Sequence, residues 1–156
     1  MAGMGYSGFW RAATGLLFAA LVMSSALTAV NEPSVDELKG RVANARLADR
    51  PPLCIRISEK RLDAADKFYV AGDTNNAQAA LTDVIAFAEL ARDYAIQSHK
   101  HEKQAEIAIR KMTRKLTDLK HTISREDQEQ VQGTIDRLQR IRDDLLAAMF
   151  PNGGKK

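Results

Sequence analysis

Apolar residues recur in the second half of the chain at steps of four and three, the spacing that places side chains on one face of an α-helix. The clearest series is Ala105, Ile109, Met112, Leu116, Leu119 and Ile123, and an upstream series comprises Leu81, Val84, Ile85, Ala88, Ala91 and Ala95. The polar belt between them, residues 97–104, contains no proline or glycine to end a helix. The pattern therefore predicts one helix over 75–122, roughly 70 Å long at about 1.5 Å per residue. A hinge in the polar belt is the alternative, and it would give a compact bundle.

Two further helices are predicted to pack on this long helix, one over 53–71 and one over 125–150. The first ends at Gly72, and Asp73 with Thr74 is predicted to cap the long helix that follows. The second begins after Ser124, which is predicted to cap it, and carries apolar residues at helical spacing. The short link at 122–125 makes the last helix antiparallel to the second half of the long one. We therefore expect an all-α fold of elongated antiparallel hairpins with coiled-coil-like seams, a bundle built on one long central helix.

The segment before these helices is predicted to hold a short helix and a linker. Ser34 and Glu37 have the spacing of a capping box, and the helix that they begin is expected to reach about Ala48. The proline pair at 51–52 then ends it. The expected organisation is a leader over 1–28, the short helix and Pro-Pro linker over 29–52, the helical domain over 53–150, and a flexible tail over 151–156.

The turn over residues 69–81 reads YVAGDTNNAQAAL and resembles the turn between the two helices of a tetratricopeptide repeat. The resemblance covers about thirteen residues and occurs once, without a recurrence at the 34-residue spacing of that family. It implies one helical hairpin rather than a repeat array, and the family's peptide binding is not carried over.

The leader has the features of a secretory signal peptide. Arg11 precedes the short apolar run over 15–23. Ser24 with Ala26, and alternatively Ala26 with Thr28, place small residues at the two positions that a signal peptidase recognises. This predicts a periplasmic or secreted protein. The alternative is an uncleaved anchor over residues 12–30, since the run approaches the roughly 20 apolar residues that span a bilayer.

The composition gives little sign of a catalytic protein or of a nucleic-acid partner. The formal net charge is only +3, and few aromatic residues follow the leader, so nucleic-acid binding is not expected. No Gly-x-Ser-x-Gly elbow, phosphate loop or Cys-His-Asn grouping is present. We therefore predict a protein that is not an enzyme and has no cofactor.

Three polar residues are weak candidates for a metal site. His99 and His101 are two positions apart, so on a helix they point in nearly opposite directions and cannot share one ion. His99 with Glu102, or His101 with a glutamate of another helix, remains open. A helical-bundle metal or ligand carrier is accordingly a distant alternative function.

The basic stripe is the more informative surface, and it consists of Arg110, Lys111, Arg114 and Lys115. Residues four apart line one side of a helix, so the stripe is predicted to meet an anionic lipid, an envelope polymer or an acidic protein. A solvated face matched by acids of the last helix is the other interpretation. The sole cysteine, Cys54, is predicted to be either buried or available for a disulfide between chains.

Together these patterns predict an exported, non-enzymatic scaffold or accessory protein of a bacterial-type envelope, which acts by binding a protein that the sequence does not identify. A membrane-tethered protein that binds anionic lipid or polymer through the stripe is the alternative. A homodimer is also expected, because a long amphipathic helix leaves apolar surface for a second copy.

Overall fold

The computed structural model describes residues 32–151, and within them the chain forms five α-helices and no β-strand. The helices are α1 (Val35–Asn44), α2 (Arg50–Val70), α3 (Thr74–Ser98), α4 (Glu102–Lys120) and α5 (Arg125–Met149), with a short 3-10 turn at Leu47–Asp49. They pack together as a helical bundle, which confirms the predicted all-α fold. The predicted leader over 1–28 and the tail after residue 151 lie outside the described residues.

Short polar motifs begin several helices where the sequence predicts. The Ser34 hydroxyl accepts a hydrogen bond from the Glu37 amide, and the Glu37 carboxylate accepts one from the Ser34 amide, which completes the capping box of α1. The side chains of Asp73 and Ser124 accept hydrogen bonds from amides in the first turns of α3 and α5. Gly72 follows α2 with a φ of 74°, a left-handed conformation that glycine adopts without strain.

The boundary between α1 and α2 differs from the prediction. α1 ends at Asn44 rather than near Ala48, because Ala45 adopts an extended backbone with a ψ of 152°. α2 begins at Arg50, so the proline pair at 51–52 lies in its first turn. Proline is tolerated there because the first amides of a helix have no intrahelical acceptor. The pair therefore starts a helix and is not a linker.

The prediction of one helix over 75–122 is wrong. α3 ends at Ser98 and α4 begins at Glu102, and His99 and His101 between them have left-handed backbones with φ of 53° and 66°. The Lys100 amide donates to the Ala95 carbonyl and the His99 amide to the Ile96 carbonyl, the pattern of a Schellman motif. The break folds the apolar face of α4 back onto the first helices, and that burial outweighs helix continuity.

The two hairpins, α2–α3 and α4–α5, stack in the same direction. Lys115 Nζ on α4 lies 2.6 Å from an Asp63 carboxylate oxygen on α2, and Arg92 on α3 lies 2.8 Å from Asp144 on α5. Each pair joins residues 52 apart in the sequence. The second hairpin therefore repeats the placement of the first, with α4 beside α2 and α5 beside α3, as in arrays of helical hairpins.

The core between the hairpins is aliphatic and rich in alanine. α3 contributes five fully buried alanines: Ala77, Ala80, Ala88, Ala91 and Ala95. The predicted seam of α4 is also buried, from Ala105 to Leu119. Ser58 Oγ of α2 lies 2.8 Å from the Val84 carbonyl oxygen of α3 and 3.4 Å from Met112 Sδ of α4, so one small polar side chain joins α2 to two other helices. Leu38 and Val42 of α1 cover the opposite face of the first hairpin.

Candidate interaction surface

The four residues of the predicted basic stripe do not share one environment. Lys115 forms the ion pair with Asp63 of α2, so its charge is matched by an acid of the first hairpin rather than of the last helix. Lys111 and Arg114 are exposed and have no ion pair within residues 32–151. Arg110 lies 3.9 Å from Glu106, at the limit of an ion pair. The structure therefore separates one paired lysine from three cations that face solvent.

Glu106 is already paired with a residue other than Arg110. Its side chain is 9% exposed, and its carboxylate accepts a hydrogen bond of 2.7 Å from the Arg142 guanidinium of α5. A charge-assisted hydrogen bond of this length is stronger than the attraction between two charges 3.9 Å apart in a partly exposed position. Arg110 is thus a secondary partner of Glu106, and most of its charge is available to another molecule.

Ile107 lies at the centre of these cations and is 44% exposed. Lys103 precedes it by four residues, and Arg110, Lys111 and Arg114 follow it by three, four and seven. Residues at these spacings share one face of a helix, so an apolar side chain lies among four basic ones. We call this surface, formed by Lys103, Ile107, Arg110, Lys111 and Arg114, the basic face.

The predicted stripe contains three of the four cations of the basic face, Arg110, Lys111 and Arg114, but not Lys103 or Ile107. The isoleucine lies two residues from the predicted seam position Ile109, on the side of α4 that its charged residues assign to solvent. The sequence does show Ile107 as a large apolar residue on the polar face of this helix. A single exposed apolar residue is common, so only its position among unpaired cations distinguishes it.

A groove runs beside the basic face, between α2 and α4. Near its middle is a cavity of about 250 Å³ with the buried Leu62 and Met112 in its lining, Lys111 and Lys115 on the α4 side, and Glu59 and Asp63 on the α2 side. A smaller cavity of about 110 Å³ lies towards Pro52 and His101 at one end of the groove. A larger cavity of about 500 Å³ lies at Tyr69 at the other end. We call this feature the α2–α4 groove. It adjoins the basic face at Lys111, so one partner segment has access to both.

An acidic side chain, Asp127, lies at the far end of the α2–α4 groove and disfavours a second negative charge there. Burial and the nearby Asp127 carboxylate raise the pKa of Tyr69, whose hydroxyl is buried. Asp127 also lies 3.5 Å from the Thr74 hydroxyl and accepts a hydrogen bond from the Ser124 hydroxyl. Its negative charge already occupies the space between the first turns of α3 and α5, where an anion would otherwise bind. Anionic groups are therefore favoured at the basic face instead.

The weak metal candidates lie at the link between the hairpins. His99 Nδ1 is 3.8 Å from Glu102 Oε1, whereas His101 Nδ1 contacts the Gln104 side chain. Within residues 32–151 the structure brings together no group of three or more His, Cys, Asp or Glu side chains that could hold a metal ion. The predicted candidates therefore provide one imidazole and one carboxylate to a common point.

Cys54 is a free thiol that is fully buried beneath α1. Burial raises its pKa to about 11, against a smaller opposing effect of the Arg50 cation. The neutral thiol is the unreactive form. A disulfide to another chain would require α1 to move away first.

None of the helices in residues 32–151 combines the length and the apolar character needed to cross a bilayer. The comparisons with known proteins add no relative: the chain matches no protein-family model, no curated protein and no solved structure.

Proposed function

We propose that this protein is an exported, non-enzymatic helical protein that acts by binding another protein through the basic face of α4. The observation that carries the proposal is the position of Ile107, which is half-exposed among cations without close ion pairs. Apolar contact supplies affinity, and the surrounding charges select the partner and speed its association. The basic face combines both kinds of contact in about three helical turns.

The chemistry of this surface defines the partner. It fits an amphipathic segment with an apolar side chain that packs on Ile107 and acidic residues that reach Lys111 and Arg114. The α2–α4 groove then accepts a second apolar residue of the same segment between Leu62 and Met112. A segment of this kind binds as a helix laid along a groove.

Substitutions in the basic face test this proposal. We expect Ile107→Ala, and separately Lys111→Gln with Arg114→Gln, to reduce the recovery of a crosslinked partner from the native envelope. The loss of affinity from Ile107→Ala should be about tenfold, which corresponds to about 1.4 kcal/mol of lost apolar burial. The loss from Lys111→Gln with Arg114→Gln should disappear at high salt, because salt also screens these two charges in the unaltered protein.

Matched controls use residues of the same type on other faces. Leu90→Ala removes an exposed apolar side chain of α3, and Arg41→Gln with Arg140→Gln removes two exposed charges of α1 and α5. Both should leave recovery unchanged. Equal losses in control and test variants would show that the basic face has no special role.

Vesicles containing phosphatidylglycerol test the alternative, a membrane-tethered protein that binds anionic lipid or polymer. Under our proposal, purified protein binds such vesicles weakly, and Ile107→Ala changes little. Tight, salt-sensitive vesicle binding without any crosslinked protein would contradict the proposal and support the alternative.

Export rests on the leader, where Arg11, the apolar run over 15–23 and the small residue Ala26 support cleavage by a signal peptidase. The mass of the mature protein tests this part separately. A chain that begins shortly after Ala26 in the periplasm or medium is expected. An intact Met1 in the membrane fraction would indicate the anchored form over residues 12–30.

A further inference from the structure

The link between the two hairpins holds two residues in an unfavourable backbone conformation. His99 and His101 have φ of 53° and 66°, although neither is glycine. For an L-residue the left-handed region is disfavoured by roughly 5- to 30-fold relative to the right-handed one. The Schellman hydrogen bonds at the end of α3 and the tertiary contacts between the hairpins together hold the link in this form.

The same residues are compatible with a continuous helix. The link, His99 to His101, contains no proline or glycine. The helical spacing of the buried face also continues across it in alternating steps of four and three, through Ala91, Ala95, Ser98, Glu102, Ala105 and Ile109, with the polar Ser98 and Glu102 in the two positions nearest the link. A straight helix through the link would therefore keep the faces of α3 and α4 in register.

We propose that this protein forms a domain-swapped dimer, in which the link straightens, α3 and α4 join into one helix, and the α4–α5 hairpin packs on the α2–α3 hairpin of a second copy. Every contact between the hairpins is then remade between chains, including the ion pairs Asp63–Lys115 and Arg92–Asp144. The dimer gains relief from the left-handed conformations at both links. A short, strained link between two packed units favours such an exchange.

The second copy also completes the α2–α4 groove. Leu62 of one chain would face Met112 of the other, so each dimer carries two grooves of mixed origin. The basic face itself stays within one chain, since all its residues lie on α4. The inference thus goes beyond the proposed function, and neither depends on the other.

Two pairs of substitutions at the link should act in opposite directions. We call the monomer with the bent link the closed form. His99→Gly with His101→Gly relieves the backbone strain of the closed form. His99→Ala with His101→Ala keeps that strain and favours the straight helix of the dimer. We expect the glycine pair to raise the dimer dissociation constant, and the alanine pair to lower it, each by at least about fivefold. Light scattering across a concentration series of the full chain measures both shifts.

A control places the same two glycines where the backbone is already right-handed. Ala86→Gly with Thr117→Gly introduces two glycines at exposed helical positions away from the link and relieves no left-handed residue. Since both positions are helical in the closed and the swapped forms, the dissociation constant should stay close to that of the wild type. A shift as large as that of the histidine pair would overturn the argument from strain.

Two measurements, both with the native sequence at the link, distinguish a domain-swapped dimer from any other kind of dimer. With Cys54→Ala, spin labels at Ala86 and Thr117 are about 46 Å apart along a continuous helix. They are under about 25 Å apart when the bent link folds α4 back across the bundle from α3. Labelled chains are diluted into unlabelled chains so that only distances within a chain appear. The long distance is expected in the dimer fraction and the short one in the monomer.

The second measurement is a crosslink between α3 and α5. Cysteines replace Glu89 of α3 and Arg137 of α5, which form an ion pair. In the same Cys54→Ala background, a short bismaleimide should join two chains of the dimer and doubled mass should appear on a denaturing gel. A dimer that crosslinks only within its chains, or an alanine pair that stays monomeric at every concentration, would overturn the proposal.

Discussion

Replacement of Ala88 by leucine tests the close packing of the hairpins most sharply. Ala88 is 0% exposed on α3, within the cluster that both hairpins share. If room were present, the three added carbons would stabilise the fold by about 0.8 kcal/mol each. Where a core is close-packed, added methylenes instead force shifts that cost about 1–3 kcal/mol. Small side chains on one helix and branched ones on its neighbours indicate the second case, so we expect a loss of about 1–3 kcal/mol.

Ala86 supplies the matched control, since it lies two residues away on the same helix and is exposed. Leucine there should change the free energy of unfolding by no more than about 0.5 kcal/mol. Urea titration of the full chain, followed by far-UV circular dichroism, measures both variants. Equal stability of Ala88→Leu and Ala86→Leu would show that α3 does not pack closely against its neighbours, and would refute the stacked-hairpin arrangement.

Three further outcomes follow from individual residues. Gly72→Ala should destabilise the fold by about 1–2 kcal/mol in urea titration, because alanine is strained at a φ of 74°. Gly40→Ala should instead stabilise it by about 0.5–1 kcal/mol, since Gly40 is helical in α1 and nothing lies within 4 Å of an added Cβ. A change in the free energy of unfolding of the same sign for both variants would contradict this explanation. The pKa of Cys54 is raised from 9.0 to about 11 in the folded protein. Between these two values only the thiol of the unfolded chain ionises, so the contribution of Cys54 to stability is fully present below pH 9 and is lost as the pH rises towards 11. The slope of this loss is at most about 1.4 kcal/mol per pH unit. Subtracting the pH profile of Cys54→Ala isolates this slope, and identical profiles would show that the thiol is not buried in solution.

Local chemistry made much of the fold predictable. The capping box at Ser34, the glycine stop at Gly72 and the caps at Asp73 and Ser124 act over a few residues, so their sequence signals lead directly to structure. The apolar spacing likewise identified most of the core, because period alone decides which side of a helix is buried. Such features depend little on the rest of the chain.

The break between α3 and α4 was not predictable in the same way. Nothing within residues 97–104 forbids a helix, and the left-handed backbones of His99 and His101 arise only because the two hairpins bury more surface when folded together. Tertiary packing therefore overrode a local preference. The strained link is also where the closed and straight forms differ, which explains why the sequence pattern supports both.

The candidate interaction surface was only partly predictable. The charge pattern identified Arg110, Lys111 and Arg114, because residues three and four apart share a helix face. It did not reveal that Lys115 is paired with Asp63, since that acid lies 52 residues away in the sequence. The α2–α4 groove depends on the stacking of two hairpins, and no short segment encodes it.

Site-specific photocrosslinking at Ile107 tests the central claim most directly. A photoreactive residue is placed at Ile107 in one chain and at Leu90, the exposed apolar residue of α3, in another, and both are activated in intact cells. The account predicts an adduct at Ile107 with an acidic, amphipathic segment of one protein, which Lys111→Glu with Arg114→Glu abolishes, and no such adduct at Leu90. Equal adducts at the two positions, or none at Ile107, would contradict it.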